Sequence, residues 1–127
     1  MIKRPKILIS TVPFGTINSF PLEQLDQANF EYKINPLGRK LTENDLLELI
    51  PDYDGLIAGT EEITENVIKK AKNLKIISRV GVGLDSVNLN AAKENKIVVT
   101  FTPDAPGPAV AELTIGLMIG LLRKVHR

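Results

Sequence analysis

The residues best suited to chemistry in this chain are Arg79-Val80-Gly81-Val82-Gly83-Leu84-Asp85. Two glycines one residue apart let the backbone turn tightly and let a ligand approach its N–H groups. The arginine ahead of them carries a fixed positive fork that matches a carboxylate or a phosphate. These residue types at this spacing make an anion-binding loop. Other chemistries are poorly supplied. The chain has no cysteine, which excludes disulfides and thiolate metal sites. Its one histidine, His126, stands at the far end, so a histidine-rich metal site is excluded too.

Three uses of the loop are open. Gly81 and Gly83 can simply make a tight strand–helix turn, with Arg79 paired to a surface acid and Asp85 capping the turn. A second use is the dinucleotide fingerprint G-x-G-x-x-G, with Ser86 where the third glycine belongs and Asp104 close to the ~20-residue offset of a ribose-binding acid. Asp104, however, falls in a proline-rich stretch. The fingerprint also normally opens a βαβ unit, whereas much of the chain precedes this loop. The third use is a carboxylate cradle, built from the N–H groups of Gly81 to Gly83 with Arg79 beside them.

The elements that must position the loop alternate regularly. Lys6–Val12 is a non-alternating apolar strand, as suits burial on both faces, and Pro13-Phe14-Gly15 breaks it. Pro21–Ala28 has helical spacing, and Phe30–Ile34 is a more polar strand that belongs near an edge. Thr42 caps a helix with Asp45 as an imperfect capping box; its apolar face is Leu46, Leu47 and Ile50, and Pro51 stops it. Asp54–Gly59 is a third strand. Thr64 caps the next helix, whose inner face is Val67, Ile68 and Ala71. Lys75–Ser78 is the strand that leads into the glycine loop, Val87–Asn95 the helix after it, and Ile97–Thr100 a fifth strand. Five strands alternating with helices over short connections predict an α/β fold: a flavodoxin-like, doubly wound parallel sheet of order 2-1-3-4-5, with helices on both faces. In such sheets ligands sit at the C-terminal ends of the strands, where the loop lies.

After Thr100 the pattern changes. Thr102–Pro108 is a proline-stiffened connector, and Ala109–Val125 reads as one helix that is apolar almost all round: Val110, Leu113, Ile115, Leu117, Met118, Ile119, Leu121 and Leu122. Gly116 and Gly120 form G-x-x-x-G, read here as close helix packing in a soluble protein, because the apolar run Leu113–Leu122 is too short to span a bilayer. The helix ends on Arg123–Arg127 without a glycine cap. It needs partners on most sides, so the chain is expected to form a homo-oligomer through it, or to be a piece of a longer protein that covers it.

The 127 residues suffice for one domain with a core, and 16 basic against 15 acidic side chains leave a formal charge of +1. That balance argues against a nucleic-acid protein with a basic face and against an acidic disordered tail. The basic start Met1-Ile2-Lys3-Arg4-Pro5-Lys6 precedes an apolar run too short for a signal peptide, so a cytoplasmic protein is expected.

The stretch Arg79-Val-Gly-Val-Gly-Leu-Asp85-Ser-Val-Asn-Leu-Asn-Ala91-Ala92 resembles the R-x-G-x-G-x-D-N-V-D-x-x-A-A segment of D-isomer-specific 2-hydroxyacid dehydrogenases, with phosphoglycerate dehydrogenase the nearest subgroup. The likeness runs from Thr60, Ile63 and Thr64 through Thr102-Pro103 to Ala109-Val110-Ala111-Glu112-Leu113; before Asp54 it is one of pattern only. It implies that residues 1–101 are a substrate-binding domain and that 102–127 are a connector and an interdomain helix leading to a Rossmann domain that binds NAD. It implies that Arg79, Val80, Gly81, Val82 and Gly83 contact the substrate carboxylate and that Val82 approaches the nicotinamide. The family's cofactor motif and its catalytic arginine, glutamate and histidine have no match here, and His126 is not the catalytic histidine. Members often carry asparagine and serine where this chain has Asp104, Pro106, Gly107 and Pro108. Glu112 matches V-A-E, near a helix start where its charge suits the dipole. The implied parent reaction is the NAD-dependent oxidation of a 2-hydroxy acid such as 3-phosphoglycerate. The rival is a non-enzymatic flavodoxin-like regulatory module that pairs through its last helix. A phosphotransfer receiver is disfavoured: Val12-Pro13-Phe14-Gly15 offers no acid after strand one, and Gly59-Thr60-Glu61-Glu62 offers no aspartate after strand three. Flavin binding is disfavoured as well, since Pro13-Phe14-Gly15-Thr16 is a poor phosphate loop.

Hydride transfer needs a bound nicotinamide and an acid–base group at the reacting carbon. The purified 127-residue chain is therefore expected to bind NAD only weakly and to turn over no 2-hydroxy acid; NADH appearing in a spectrophotometric assay above blank would overturn this.

Overall fold

A computed structural model describes residues 4–125; the readings of Met1–Lys3 and of His126 lie outside the described residues. The elements run β1 (Lys6–Ile9), α1 (Phe20–Gln27), β2 (Glu31–Ile34), α2 (Glu43–Leu49), β3 (Gly55–Ala58), α3 (Glu65–Lys70), β4 (Ile76–Arg79), α4 (Leu89–Glu94), β5 (Val98–Thr100) and α5 (Gly107–Arg123), with a 3₁₀ turn at Ile50–Asp52. All strand pairs are parallel, in the order β2-β1-β3-β4-β5. The alternating pattern thus gives the expected doubly wound sheet, with the polar strand β2 at one edge.

The register explains where the core sits. Leu8, Leu56 and Ile77 lie side by side across β1, β3 and β4, with Val99 next on β5. The first three are essentially inaccessible, and they pack with Leu46 and Ile50, Val67 and Ile68, and Ala91 and Ala92, contributed by α2 and its 3₁₀ extension, α3 and α4. Truncating Leu56 to alanine there would cost about 2–5 kcal/mol by loss of transfer energy and the cavity left behind.

The opposite face is only partly covered. Its row Ile7–Gly55–Ile76–Val98 is buried at Ile7 but 38% exposed at Ile76 and 57% exposed at Val98. Helix α1 packs on the β2 side, and no residue of α1 is itself buried. In a closed fold of this class the last helix returns over this face. Here α5 does not: none of its residues is buried, and Leu113 and Leu122 are 63% and 80% exposed. No helix among the described residues is long and apolar enough to cross a membrane.

The helix ends differ from the sequence reading in instructive ways. The Thr42–Asp45 box closes completely: Thr42 Oγ1 accepts from the Asp45 N–H, and Asp45 accepts from the Thr42 N–H. The shorter aspartate reaches because Arg39 holds it with two guanidinium bonds of 2.7 and 3.1 Å. Pro51 does not stop the chain at once; it sits inside the 3₁₀ turn. Helix α4 starts after Asn88, whose Oδ1 accepts from Ala91 N–H, because Val87 is drawn into a bridge with Ile63 instead. Helix α5 starts at Gly107, ahead of the expected Ala109, since proline at its first turn has no N–H to satisfy. It needs no glycine to end. Lys124 takes a left-handed conformation (φ 54°), and N–H bonds run from Val125 to Gly120 and from Lys124 to Leu121, a Schellman closure. Asn29 and Lys96 close α1 and α4 in the same way.

Arg39 and the Thr42 donors hold the Asp45 carboxyl well below the usual carboxylate range. A carboxyl depressed on folding contributes stability above its unfolded pKa and loses it as pH falls toward the folded value. Denaturant unfolding at successive pH values from 7 to 2 is expected to show a decline below about pH 4 that is shallower in Asp45→Asn, with the variant less stable at pH 7. An unchanged slope would remove Asp45 from that account.

Candidate active site

Parallel strands with matched register end level, and the level ends collect the site. Ala58 of β3 pairs with Arg79 of β4, and β1 ends just before Ser10. The glycine loop leaves β4 with Val80 still on the ladder, its N–H donating to the Ala58 carbonyl at 2.8 Å. Val80 therefore offers a side chain, and its amide is spent. From Gly81 onward the loop is free of the sheet. Among the described residues, the amides of Gly81, Val82 and Gly83 make no hydrogen bond.

The loop is pinned from outside. The Gly81 carbonyl accepts from the Thr102 N–H at 2.9 Å, and the Arg79 carbonyl accepts from the Thr102 hydroxyl at 3.2 Å. Its far end is held by Ile63, whose N–H donates to the Ser86 carbonyl and whose carbonyl accepts from Asn88 N–H. The connector after β5 and the segment after β3 thus hold the two ends of the loop and leave its middle open.

Arg79 does not pair with a surface acid. Its Nη1 donates to the Val80 carbonyl, which folds the guanidinium across Gly81, while Nε is enclosed and has no partner among the described residues. A buried donor without an acceptor is costly, and here it belongs to the same loop as three amides that also lack partners among the described residues. Asp85 does not cap the turn, since its side chain makes no hydrogen bond among the described residues; the Leu84 carbonyl closes the turn by accepting from Val87 N–H.

The two glycines are not equivalent. Gly81 has φ +142°, and a Cβ there would stand 2.5 Å from Arg79 Nη1. Gly83 lies outside the left-handed range, and a Cβ would meet only Asp85 Oδ2, at 3.5 Å.

The residues present do not form a dinucleotide site. That site needs a helix N-terminus directly behind the glycines to receive the pyrophosphate. Here a turn from Leu84 to Asn88 intervenes, Asn88 fills the first turn of α4 with its own side chain, and Ser86 is locked to Ile63. Asp104 stands in the connector with φ 60°, where it shapes the turn that leads into α5.

Sequence reasoning missed a buried polar cluster beside the loop. Glu61 is only 2% exposed; its Oε1 accepts from the Gly59 N–H at 2.9 Å and from the Ser10 hydroxyl. Asn35 lies on the other side of Ser10, donating from Nδ2 to the Ser10 carbonyl at 2.9 Å and to the Arg39 carbonyl at 2.8 Å. The available signal was position: each of these residues directly follows, or nearly follows, a strand at the C-terminal edge of a parallel sheet.

Gly81→Ala is expected to lower stability by about 1–3 kcal/mol, because alanine there must leave the observed backbone conformation. Gly83→Ala is expected to stay within about 0.5 kcal/mol of the parent. Chemical denaturation of both variants checks this, and equal losses would contradict the asymmetry.

Comparison with known proteins agrees with this geometry. The family described as D-isomer specific 2-hydroxyacid dehydrogenase, catalytic domain, matches residues 8–116. The chain is 47% identical over 87 residues to a D-3-phosphoglycerate dehydrogenase of Methanocaldococcus jannaschii, covering 67% of this chain and 16% of that protein. It is 42% identical over 88 residues to a hydroxypyruvate reductase of Thermotoga maritima, covering 68% of this chain and 29% of that protein. The crystal structure of NAD+-bound 3-phosphoglycerate dehydrogenase from Entamoeba histolytica superposes with a TM-score of 0.84 at 35% identity, over 98% of this chain and 41% of that one. The chain thus spans less than a third of the length of these two curated relatives. With nearly all of its parallel sheet, its glycine loop and the flanking segments inside the matched span, the chain belongs to the D-isomer specific 2-hydroxyacid dehydrogenase family.

Proposed function

We propose that this chain supplies the carboxylate-binding half of a dehydrogenase site, in which a small 2-hydroxy acid and its 2-oxo acid are interconverted with NAD. The observation that carries the reading is a set of unmet donors at one sheet edge: the amides of Gly81, Val82 and Gly83, and the enclosed Nε of Arg79. A carboxylate has two oxygens that together accept about four hydrogen bonds. The loop would grip it, with Val80 alongside, and would aim the 2-carbon outward from the sheet. Val82, 47% exposed, would lie against the nicotinamide.

On this reading residues 1–101 bind and orient substrate, and residues 102–127 lead into a second domain. The cofactor and the acid–base group belong to that domain, and this chain contributes grip and direction. The exposure of the apolar helix α5 supports the assignment, since Leu113, Leu117, Leu121 and Leu122 face water here and would be covered by a second domain and a second copy of the chain. A cytoplasmic setting accords with the reaction class.

Amide and Arg Nε resonances of the 15N-labelled chain report the test directly. Titration with hydroxypyruvate is expected to shift Gly81, Val82, Gly83 and Arg79 Nε together. Arg79→Gln is expected to weaken that binding about tenfold, as loss of a charged hydrogen bond does. Shifts confined to other parts of the domain, or an unchanged affinity in Arg79→Gln, would refute the cradle.

A further inference from the structure

Beside the glycine loop lies a smaller hollow of about 140 Å³, bordered by Ser10, Thr11, Lys40, Thr60, Glu61 and Val80. Val80 belongs to both features, so the hollow adjoins the place proposed for the carboxylate. The hollow is a built feature. Glu61 is almost wholly enclosed and is fixed by the Gly59 N–H and the Ser10 hydroxyl. Ser10 is fixed in turn through its carbonyl by the buried Asn35. Gly59 separates Glu61 from Thr11, and a Cβ there would stand 2.9 Å from Glu61 Oε2 and 3.0 Å from Thr11 Oγ1.

The charge balance of the hollow is unusual for a phosphate site. Among the described residues, no lysine or arginine lies within ion-pair distance of Glu61. Lys40 borders the hollow from the exposed rim. The guanidinium nearest in sequence to Lys40, that of Arg39, is engaged by Asp45. A phosphate would bring nearly two negative charges against an enclosed carboxylate, with one flexible ammonium to offset them. An uncharged hydroxyl meets no such repulsion. It can donate to Glu61 and accept from Thr11, Thr60 or Lys40.

We propose that Glu61 sets the substrate class of this site: the hollow takes an uncharged, hydroxyl-bearing group, as in glycerate, and rejects the phosphate of 3-phosphoglycerate. The proposal rests on the loop being a carboxylate cradle. Within that reading it favours the unphosphorylated member of the two acid types that the relatives' names suggest.

The test is a pair of titrations of the 15N-labelled 127-residue chain, with D-glycerate and with 3-phospho-D-glycerate, following the amides of residues 59–61 and 79–83. Glycerate is expected to move both sets and to bind about tenfold or more tightly than the phosphorylated acid, the scale of an uncompensated like charge in a partly enclosed site. Glu61→Gln keeps the shape and the acceptor oxygen, and it is expected to bring the two acids to within about threefold by strengthening the phosphorylated one. If 3-phosphoglycerate binds the parent chain as tightly as glycerate while residues 79–83 shift, the role of Glu61 is overturned and the cradle stands. An unchanged preference in a folded Glu61→Gln also overturns it. If neither acid moves residues 79–83, cradle and proposal fall together.

Discussion

The buried row Leu8–Leu56–Ile77 is the constraint on which the rest of this structure depends. Parallel pairing fixes the register of three strands, and burial of that row on α2, α3 and α4 opposes a slip, because a one-residue shift would take Leu8, Leu56 or Ile77 off the helix-covered face. Level strand ends follow. Ser10, Gly59 and Val80 then emerge at one edge although long stretches of chain separate them. No side chain at that edge needs an attraction to another to be brought close; the ladder beneath them does it.

What the edge does with its polar groups divides it in two. The Ser10–Asn35–Glu61 cluster is tied together by its own hydrogen bonds, both bonds to Glu61 falling on Oε1, and such clusters hold loops in one arrangement. The glycine loop is the reverse. Among the described residues its middle amides and Arg79 Nε have no acceptors, while its two ends are tied down by Thr102 and Ile63. A rigid frame around unmet donors is what anion recognition requires, since the ligand then meets groups already aimed and has little ordering to impose. The strain at Gly81 belongs to the same design: its φ lets Arg79 fold across the loop, and any side chain would displace the guanidinium.

The sheet's second face and helix α5 present the opposite condition, apolar surface without cover. Ile76, Val98 and most of α5 are exposed in a chain whose other face is tightly closed. Exposed apolar area of this kind is what a covering partner would bury. It fits the fact that the chain spans only part of the length of its relatives.

Much of this was legible in the sequence, because much of it is local. Alternation of apolar runs with capped helical stretches set the α/β class and the strand order, and Arg79, Gly81 and Gly83 marked a candidate anion loop by type and spacing alone. Helix ends were less legible. Asn29, Lys96 and Lys124 adopt left-handed closures that only glycine would have advertised, and Asn88 capped α4 because Val87 was taken up by Ile63. Tertiary structure alone decided the rest. That Gly81 resists a side chain and Gly83 does not depends on the backbone conformation the loop takes between its two tied ends. That Glu61 is enclosed, when its neighbour Glu62 is exposed, depends on Ser10 of a distant strand arriving beside it. Periodicity in a sequence records which face a residue takes. Which partners meet it there is settled only when strands from distant parts of the chain are laid in register.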